Sequence, residues 1–328
     1  MSDPVPGART APAAEVRTPA SGPVLERIAT RVAEVGDGLM IRRALPSHER
    51  RLVGAWCFLD HAGPLTFGPG GGLGVGPHPH IGLQTFTWMI DGAVVHRDSL
   101  GNEQRITPGQ VNLMTAGRGI SHAEDSESAT GGRLHAVQLW IALPDSQRHC
   151  APAFRNYPQL PHIERGGLSV RVLAGSALGA TSPVEVFSPL LGLDCVAAGA
   201  AQLELPLDPH FEHAALVLEG SASIEGEALS PGTFLYLGRA REALSLRCAG
   251  PARLMLVGGA PFNEEVLLWW NFVARNASEM EEATRDWNAG RRFGVVRGSP
   301  SHPLVAPEVS GLKLRAARPA AGDDGAAT

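Results

Sequence analysis

The stretch Leu83–Glu124 reads LQTFTWMIDGAVVHRDSLGNEQRITPGQVNLMTAGRGISHAE, and its turn residues decide the fold. Short apolar runs are interrupted by Gly, Pro, Asn and Asp about every 8 to 12 residues, which is typical of a β-sandwich or β-barrel. Asp91-Gly92 lies between two β-rich runs and predicts a hairpin in which both residues adopt positive φ. The stretch therefore predicts an all-β fold.

The same pattern continues on both sides. Leu25–Ala44 alternates apolar and polar residues, Val53–Leu59 is a short apolar run, and Arg133–Leu143 has the pattern of a closing strand. Gly68–Gly76 is a glycine-rich loop without the spacing of a phosphate-binding motif. We therefore expect one β-barrel over residues 25–143.

The second half of the chain repeats turn signals of the first. Gly220 in Glu-Gly follows Gly92 in Asp-Gly by 128 residues, and Pro231 in Ser-Pro-Gly follows Pro108 in Thr-Pro-Gly by 123 residues. A nearly constant displacement of this kind is typical of an internal repeat. It predicts a second barrel over residues 162–298.

Two other segments can be interpreted. Residues 144–161 are Pro-rich and weakly patterned, and we expect them to link the barrels. A short C-terminal helix is predicted near residues 278–289, with Ser278 as its N-cap, Glu281 completing a capping box and Gly290 ending it.

Composition limits the location and the partners of the protein. The chain has 328 residues, a formal net charge of −5 and no basic stretch, so direct nucleic-acid binding is not expected. Residues 1–24 lack the features of a signal peptide and, with part of 299–328, are expected to be disordered. No stretch is apolar enough for a membrane helix. Four cysteines without CxxC spacing predict structural thiols in the cytoplasm.

Two short motifs carry the candidate chemistry. His78 and His80 are two residues apart, as are His122 and Glu124, and residues two apart point to the same face of a strand. Neighbouring strands would bring three imidazoles and one carboxylate together, a set that suits iron and other divalent transition metals. An octahedral ion would keep open positions for catalysis, whereas a structural zinc would be closed. Spacing alone also allows these residues to be ordinary core histidines.

Longer motifs around these residues resemble the pirin family of the cupin superfamily. They are GPHPHIGLQT at Gly76–Thr85, PGQVNLMTAGRGISHAE at Pro108–Glu124, and Asn263-Glu264, Arg285-Asp286 and Gly290–Gly294 near the C-terminus. The resemblance implies two face-to-face cupin (jelly-roll) β-barrels, with a metal in the first barrel only. It further implies that His78, His80, His122 and Glu124 hold a non-haem Fe2+ ion.

Other polar residues have weaker assignments. Gln84 stands where many cupins have an acidic residue, but the resemblance places the carboxylate ligand at Glu124. In the second barrel, Ser245 and Arg247 are the expected counterparts of His122 and Glu124, so a second metal site is not expected. His61 is either a residue that orients a metal ligand or a turn residue. For His96 and His135 we expect a structural role.

The resemblance implies two classes of function. The first is an iron-dependent dioxygenase that acts with O2 on a flavonol such as quercetin, with Glu124 as the catalytic acceptor of the substrate proton. The second is a redox-sensitive, metal-bearing regulator that contacts other proteins. We favour the enzyme, because an open metal site is costly to maintain without use.

Overall fold

The computed structural model describes residues 22–36, 38–127 and 130–309. Residues 1–21 and 310–328, which make up most of the predicted disordered ends, lie outside these ranges. None of the helices in the described ranges has the length and apolar character needed to cross a membrane.

The described chain is built almost entirely of strands. Those of the first half are β1 Pro23–Ala29, β2 Arg31–Val35, β3 Leu39–Leu45, β4 Trp56–Phe67, β5 Gly74–His80, β6 Leu83–Gly92, β7 Val94–Asp98, β8 Glu103–Ile106, β9 Val111–Thr115, β10 Ile120–Ser126, β11 Gly132–Ala142 and β12 Ala153–Tyr157. Those of the second half are β13 His162–Arg165, β14 Leu168–Ala174, β15 Ser176–Ala177, β16 Ala180–Thr181, β17 Leu190–Ala197, β18 Ala201–Pro206, β19 Glu212–Gly220, β20 Ala222–Ile224, β21 Glu227–Leu229, β22 Thr233–Gly238, β23 Ala243–Cys248, β24 Ala252–Gly259, β25 Leu267–Trp269 and β26 Phe272–Ala274. One helix, α1, spans Ala277–Asn288.

Two barrels with the same strand order confirm the predicted all-β fold. In the first, a seven-stranded sheet β12-β9-β6-β11-β4-β3-β2 faces a four-stranded sheet β5-β10-β7-β8. The second has β1-β22-β19-β24-β17-β14-β13 facing β18-β23-β20-β21. The strands correspond one to one, which is the duplication that the repeated turn signals predict.

The large sheets of the two barrels pack face to face. One hydrophobic core contains Trp56 and Phe86 from the first barrel together with Phe234 and Met255 from the second. The indole N–H of buried Trp56 donates to two backbone carbonyls of the second barrel, at 3.1 Å each. Burial of aromatic and aliphatic side chains from both barrels stabilises this interface.

In each barrel, one edge strand comes from the segment that precedes the other barrel in the sequence. Strand β1 comes before the first barrel in sequence but pairs with β22 of the second. Strand β12 lies in the predicted linker but pairs with β9 of the first. The predicted boundaries at 25–143 and 144–161 therefore need correction at these two strands, because pairing across sheets leaves no local mark in the sequence.

Two local predictions were wrong. Asp91-Gly92 does not close a hairpin: β6 and β7 belong to different sheets, and of the two residues only Gly92 has positive φ. The helix lies where it was predicted, but its N-cap is Asn276 and not Ser278. The Asn276 side chain accepts the backbone N–H of Glu279 at 3.0 Å, and the Glu279 carboxylate accepts the backbone N–H of Arg275 at 3.0 Å.

Segments that follow the second barrel return to the first and cover one of its ends. The β25–β26 hairpin places the Val273 N–H 3.1 Å from the Ile81 carbonyl, next to the end of β5. Residues 299–309 follow the helix, and the Leu304 N–H donates to the Pro77 carbonyl at 2.9 Å. Both contacts lie beside the strand that carries the His-Pro-His motif.

Candidate metal centre

Strands β5 and β10 bring the two motifs together. They are antiparallel neighbours, and their register places His122 directly opposite His78. The alternation of a strand puts His80 on the same face as His78, and Glu124 on the same face as His122. Between His122 and Glu124 the register shifts because β5 has one extra residue, so the β-bulge lies in β5 and the alternation along β10 is unbroken.

Three imidazoles form a tight cluster inside the first barrel. One ring nitrogen from each of His78, His80 and His122 lies within 4.8 Å of the others, and all three residues are buried. The Nε2 atoms of His80 and His122 are 3.0 Å apart. Two ligand atoms bound about 2.1 Å from one ion at a right angle are separated by about 3.0 Å, so this spacing fits a shared metal.

Backbone carbonyls orient two of the rings. His78 Nδ1 is 2.9 Å from the Gly76 carbonyl, and His80 Nδ1 is 2.9 Å from the Asn271 carbonyl. A carbonyl can only accept, so each Nδ1 carries the proton and each Nε2 presents a lone pair to the cluster. This is the usual support for a metal-binding histidine, and the Asn271 carbonyl comes from the β25–β26 turn.

Burial also keeps the imidazoles neutral. Desolvation lowers the pKa of His78 to about 4 and holds the pKa values of His80 and His122 well below their usual range. Neighbouring histidines further lower the pKa values of His80 and His122, since each disfavours protonation of the next. Lone pairs of neutral imidazoles that point at one another repel, whereas a divalent cation between them would bind all three.

Glu124 lies beside the cluster rather than within it. Its carboxylate groups with His122 and His96, with the three ligand atoms within 4.8 Å of one another. Thr87 Oγ1 is 3.4 Å from Glu124 Oε1. Burial raises the pKa of this carboxyl. The structure thus joins the predicted histidines directly and places the predicted carboxylate next to one of them.

His96 was missed as a neighbour of the site. Its Nδ1 lies 3.2 Å from His122 Nδ1, its Nε2 lies 3.3 Å from Asp98 Oδ2, and its ring stacks on Phe154 of the exchanged strand β12. Burial opposes ionisation of Asp98, but hydrogen bonds from His96 and Asn102 hold its pKa low. The His96-Arg97-Asp98 spacing, equal to that of His122-Ala123-Glu124, is the signal that could have found it.

The remaining candidates point away from the cluster. His61 Nε2 lies 2.8 Å from His135 Nε2 in a buried pair outside the cavity that contains the metal-site histidines. Neither alternative for His61 fits the structure, because it lies inside β4 and its ring contacts His135 and not a metal-site histidine. Gln84 donates to Thr115 Oγ1 at 2.9 Å and does not line that cavity.

A cavity of about 550 Å³ opens onto the histidine cluster. Its walls include His78, His80, His122 and Glu124, as well as Trp269 from the β25–β26 hairpin. Cavities of this size hold drug-sized ligands. A small molecule in this space would lie against the imidazoles.

The second barrel has leucines at the equivalent positions. The strand pairing makes Leu244 and Leu246 the counterparts of His122 and Glu124, so the expected Ser245 and Arg247 were one residue out of register. Leu205 and Leu207 replace His78 and His80, and all four leucines are in the barrel's hydrophobic core. Leucine offers no metal ligand.

Comparison with known proteins follows the same division into two barrels. The family model described as Pirin matches residues 38–141, and the one described as Pirin C-terminal cupin domain matches residues 192–294. The chain belongs to the pirin family.

Two relatives align with most of this pirin. A Pseudomonas aeruginosa protein named "Putative quercetin 2,3-dioxygenase PA1205" is 50% identical over 287 residues, 87% of this chain and 91% of that protein. A Caulobacter vibrioides protein named pirin-like is 38% identical over 258 residues, covering 76% of this chain and 88% of its own length. A crystal structure described as quercetin 2,3-dioxygenase from Acinetobacter baumannii has a TM-score of 0.87 at 47% identity, and covers 89% of this chain and 97% of its own.

Proposed function

We propose that this pirin is a metal-dependent dioxygenase that cleaves a flavonol such as quercetin with O2. His78, His80, His122 and Glu124 are the proposed ligands, and Fe2+ is the proposed ion. The observation that carries the proposal is the opening of a buried, neutral histidine cluster into a cavity of about 550 Å³. Identity of 50% to a relative whose name includes quercetin 2,3-dioxygenase supports the choice of substrate class.

The bound ion would supply Lewis-acid activation of a substrate hydroxyl and a binding position for O2. The chain itself prepares the site, because the Gly76 and Asn271 carbonyls fix His78 and His80 with Nε2 inward. Glu124 takes the proton from the substrate hydroxyl at a carboxylate oxygen. Thr87 Oγ1, 3.4 Å from Glu124 Oε1, would help to keep the carboxylate in place for this transfer.

The walls of the cavity suit a planar aromatic ligand. Phe58 and Trp140 are stacked with their ring centroids 4.0 Å apart, and the Trp140 and His80 rings form a T-shaped pair with centroids 5.2 Å apart. Flat apolar walls beside a metal site can hold an aromatic substrate by stacking and can exclude water from it.

The enzyme proposal accounts for the cavity better than its two alternatives do. A closed structural zinc site has no need of a ligand-sized space beside it. A regulator that acts through protein contacts would need an outer surface and not a ligand-sized cavity. All four cysteines are free, as predicted, and this agrees with the cytoplasmic location that we propose.

Purified protein loaded anaerobically with Fe2+, then given quercetin and air, tests the proposal. We expect loss of the flavonol absorbance and uptake of O2, and both should disappear in His122→Ala. His213→Ala is the matched control, because His213 is equally buried but lies in the second barrel. Elemental analysis of the same samples measures the metal. A fully loaded protein that consumes neither flavonol nor O2 would overturn the proposal.

A further inference from the structure

A row of polar side chains crosses the floor of the metal cavity in strand register. Thr87 pairs with Gln138, Gln138 with Asp60, and Asp60 with Arg43. All four residues line the cavity, and the row begins at Thr87 beside Glu124. Directly opposed residues on antiparallel strands have neighbouring side chains, so the row is continuous.

At the far end of the row, a buried carboxylate is fixed in place. Asp60 is 5% exposed, and its two oxygens accept from Arg43 Nε at 2.7 Å and from Arg43 Nη2 at 2.5 Å. A carboxylate oxygen can accept more than one hydrogen bond, so Asp60 keeps acceptor capacity toward the cavity. The bidentate contact prevents it from turning away.

Gln138, the neighbour of Asp60 in the row, supplies a hydrogen-bond donor. The Thr87 hydroxyl donates to Gln138 Oε1 at 2.8 Å, so the Gln138 amide nitrogen points away from Thr87. That nitrogen is 3.4 Å from the Leu139 carbonyl, a long hydrogen bond. Gln138 and Asp60 therefore present one donor and one acceptor side by side, which matches the needs of a hydroxyl group.

Apolar surfaces on both sides of the row favour an aromatic ring that carries this hydroxyl. On one side lies the Phe58–Trp140 stack, and the Arg43 guanidinium carbon lies 4.4 Å from the Phe58 ring centroid. On the other side Met89 and Ala136 line the cavity. A ring packed between these walls has its edge toward the polar row, where a hydroxyl group can reach Asp60 and Gln138.

We propose that Asp60 and Gln138, with Arg43 as the positioning residue, form a hydroxyl-recognition subsite that selects aromatic ligands hydroxylated on the ring remote from the metal. The inference rests on the proposed function for its substrate class. It adds the residues that distinguish a polyhydroxylated flavonol from one that carries only the 3-hydroxyl group.

Anaerobic binding to metal-loaded protein tests the subsite without turnover. Affinities for quercetin and for 3-hydroxyflavone are measured by calorimetry in the native chain, Asp60→Asn and Gln138→Met. We expect the native chain to prefer quercetin, and Asp60→Asn to reduce that preference by about tenfold or more, because it removes a hydrogen bond to a charged group. Affinity for 3-hydroxyflavone and metal content should stay the same. Gln138→Met keeps the ion pair intact and should reduce the preference less.

Asp194→Asn is the matched control. Asp194 forms the same bidentate pair with Arg253, at 2.8 and 2.7 Å, but does not line the cavity. It should lower stability without changing the preference. An unchanged preference in Asp60→Asn would overturn the subsite, even if flavonols are turned over.

Smaller probes separate the subsite from the proposed function. If neither flavonol binds, the proposed substrate class is wrong, and resorcinol is compared with 1,3-dimethoxybenzene by ligand-observed NMR. Selective binding of resorcinol that is lost in Asp60→Asn would retain the subsite. Binding of the two probes that does not depend on Asp60 would overturn it.

Discussion

The two barrels have the same strand order and different interiors. Glu124 pairs with His96, four residues after Gly92, and Leu246 pairs with Ile224, four residues after Gly220. The equivalent of the metal-site residues is a set of four buried leucines, Leu205, Leu207, Leu244 and Leu246. The comparison teaches that one framework of strands serves either a polar chamber or a packed core, and that a few side chains decide which.

The difference also has an energetic side. Each fully buried leucine stabilises the second barrel by about 1.5–3 kcal/mol relative to an exposed one. The first barrel instead buries uncharged imidazoles around an open cavity, and this arrangement gains little without a ligand. We therefore expect the second barrel to contribute more of the folding stability and the first to contribute the chemistry.

The largest effect on metal binding and turnover should come from replacing a metal-site histidine with the leucine found in the second barrel. His122→Leu gives the site the side chain found at Leu244, and it removes a ring shared by both clusters of candidate ligands. Metal content should fall to background, and flavonol consumption should fall by at least about a thousandfold. Elemental analysis and absorbance measure the two effects, while circular dichroism checks that the fold persists. Retention of both metal and turnover would refute the assignment.

In the second barrel, the corresponding substitution should mainly lower stability. Leu244→Ala removes a side chain that is 1% exposed, and we expect it to lower the free energy of unfolding by about 2–5 kcal/mol. His122→Ala in metal-free protein should lower it less, because its site already borders a cavity. Urea unfolding of both variants gives the comparison. Equal losses would mean that the interiors do not differ in packing as described.

Glu124 is both a proposed metal ligand and the proposed proton acceptor, and samples of equal metal content separate the two roles. Glu124→Gln keeps the size of the side chain but removes the proton acceptor, so kcat should fall about a hundredfold or more while the metal is retained. Single-turnover kinetics on samples of equal metal content provides the measurement. Full turnover with the metal retained would remove the catalytic role.

The smallest expected effect is on the pH dependence of stability. Burial lowers the pKa of His213 to about 4, and neither of its ring nitrogens has a hydrogen-bond partner in the described structure. As the pH falls below about 6.5, His213 takes up a proton in the unfolded chain but not in the folded chain. Protonation of His213 therefore lowers the free energy of unfolding progressively between about pH 6.5 and pH 4, and has no effect on it above this window. His213→Leu should make the decline in Tm over this window shallower. An unchanged slope would show that His213 does not titrate in this way.

Sequence reasoning succeeded where the geometry is local. The His78/His80 and His122/Glu124 pairs were found because a strand places residues two apart on one face. The contact of His96 with Glu124 was missed because it joins different strands, and the exchange of β1 and β12 depends on pairing between distant segments. The one-residue shift from Ser245 to Leu244 arose because the two repeats have loops of different length. The Asp91-Gly92 turn resembles a hairpin locally, yet the chain uses it to pass from one sheet to the other.

The most direct test of the account is anomalous X-ray diffraction, at the iron edge, from crystals of the Fe2+-loaded protein. We predict one peak per chain, bound by Nε2 of His78, His80 and His122 and by a carboxylate oxygen of Glu124, with no peak among the leucines of the second barrel. A peak elsewhere, or loaded protein with no ion between these three imidazoles, would contradict the account.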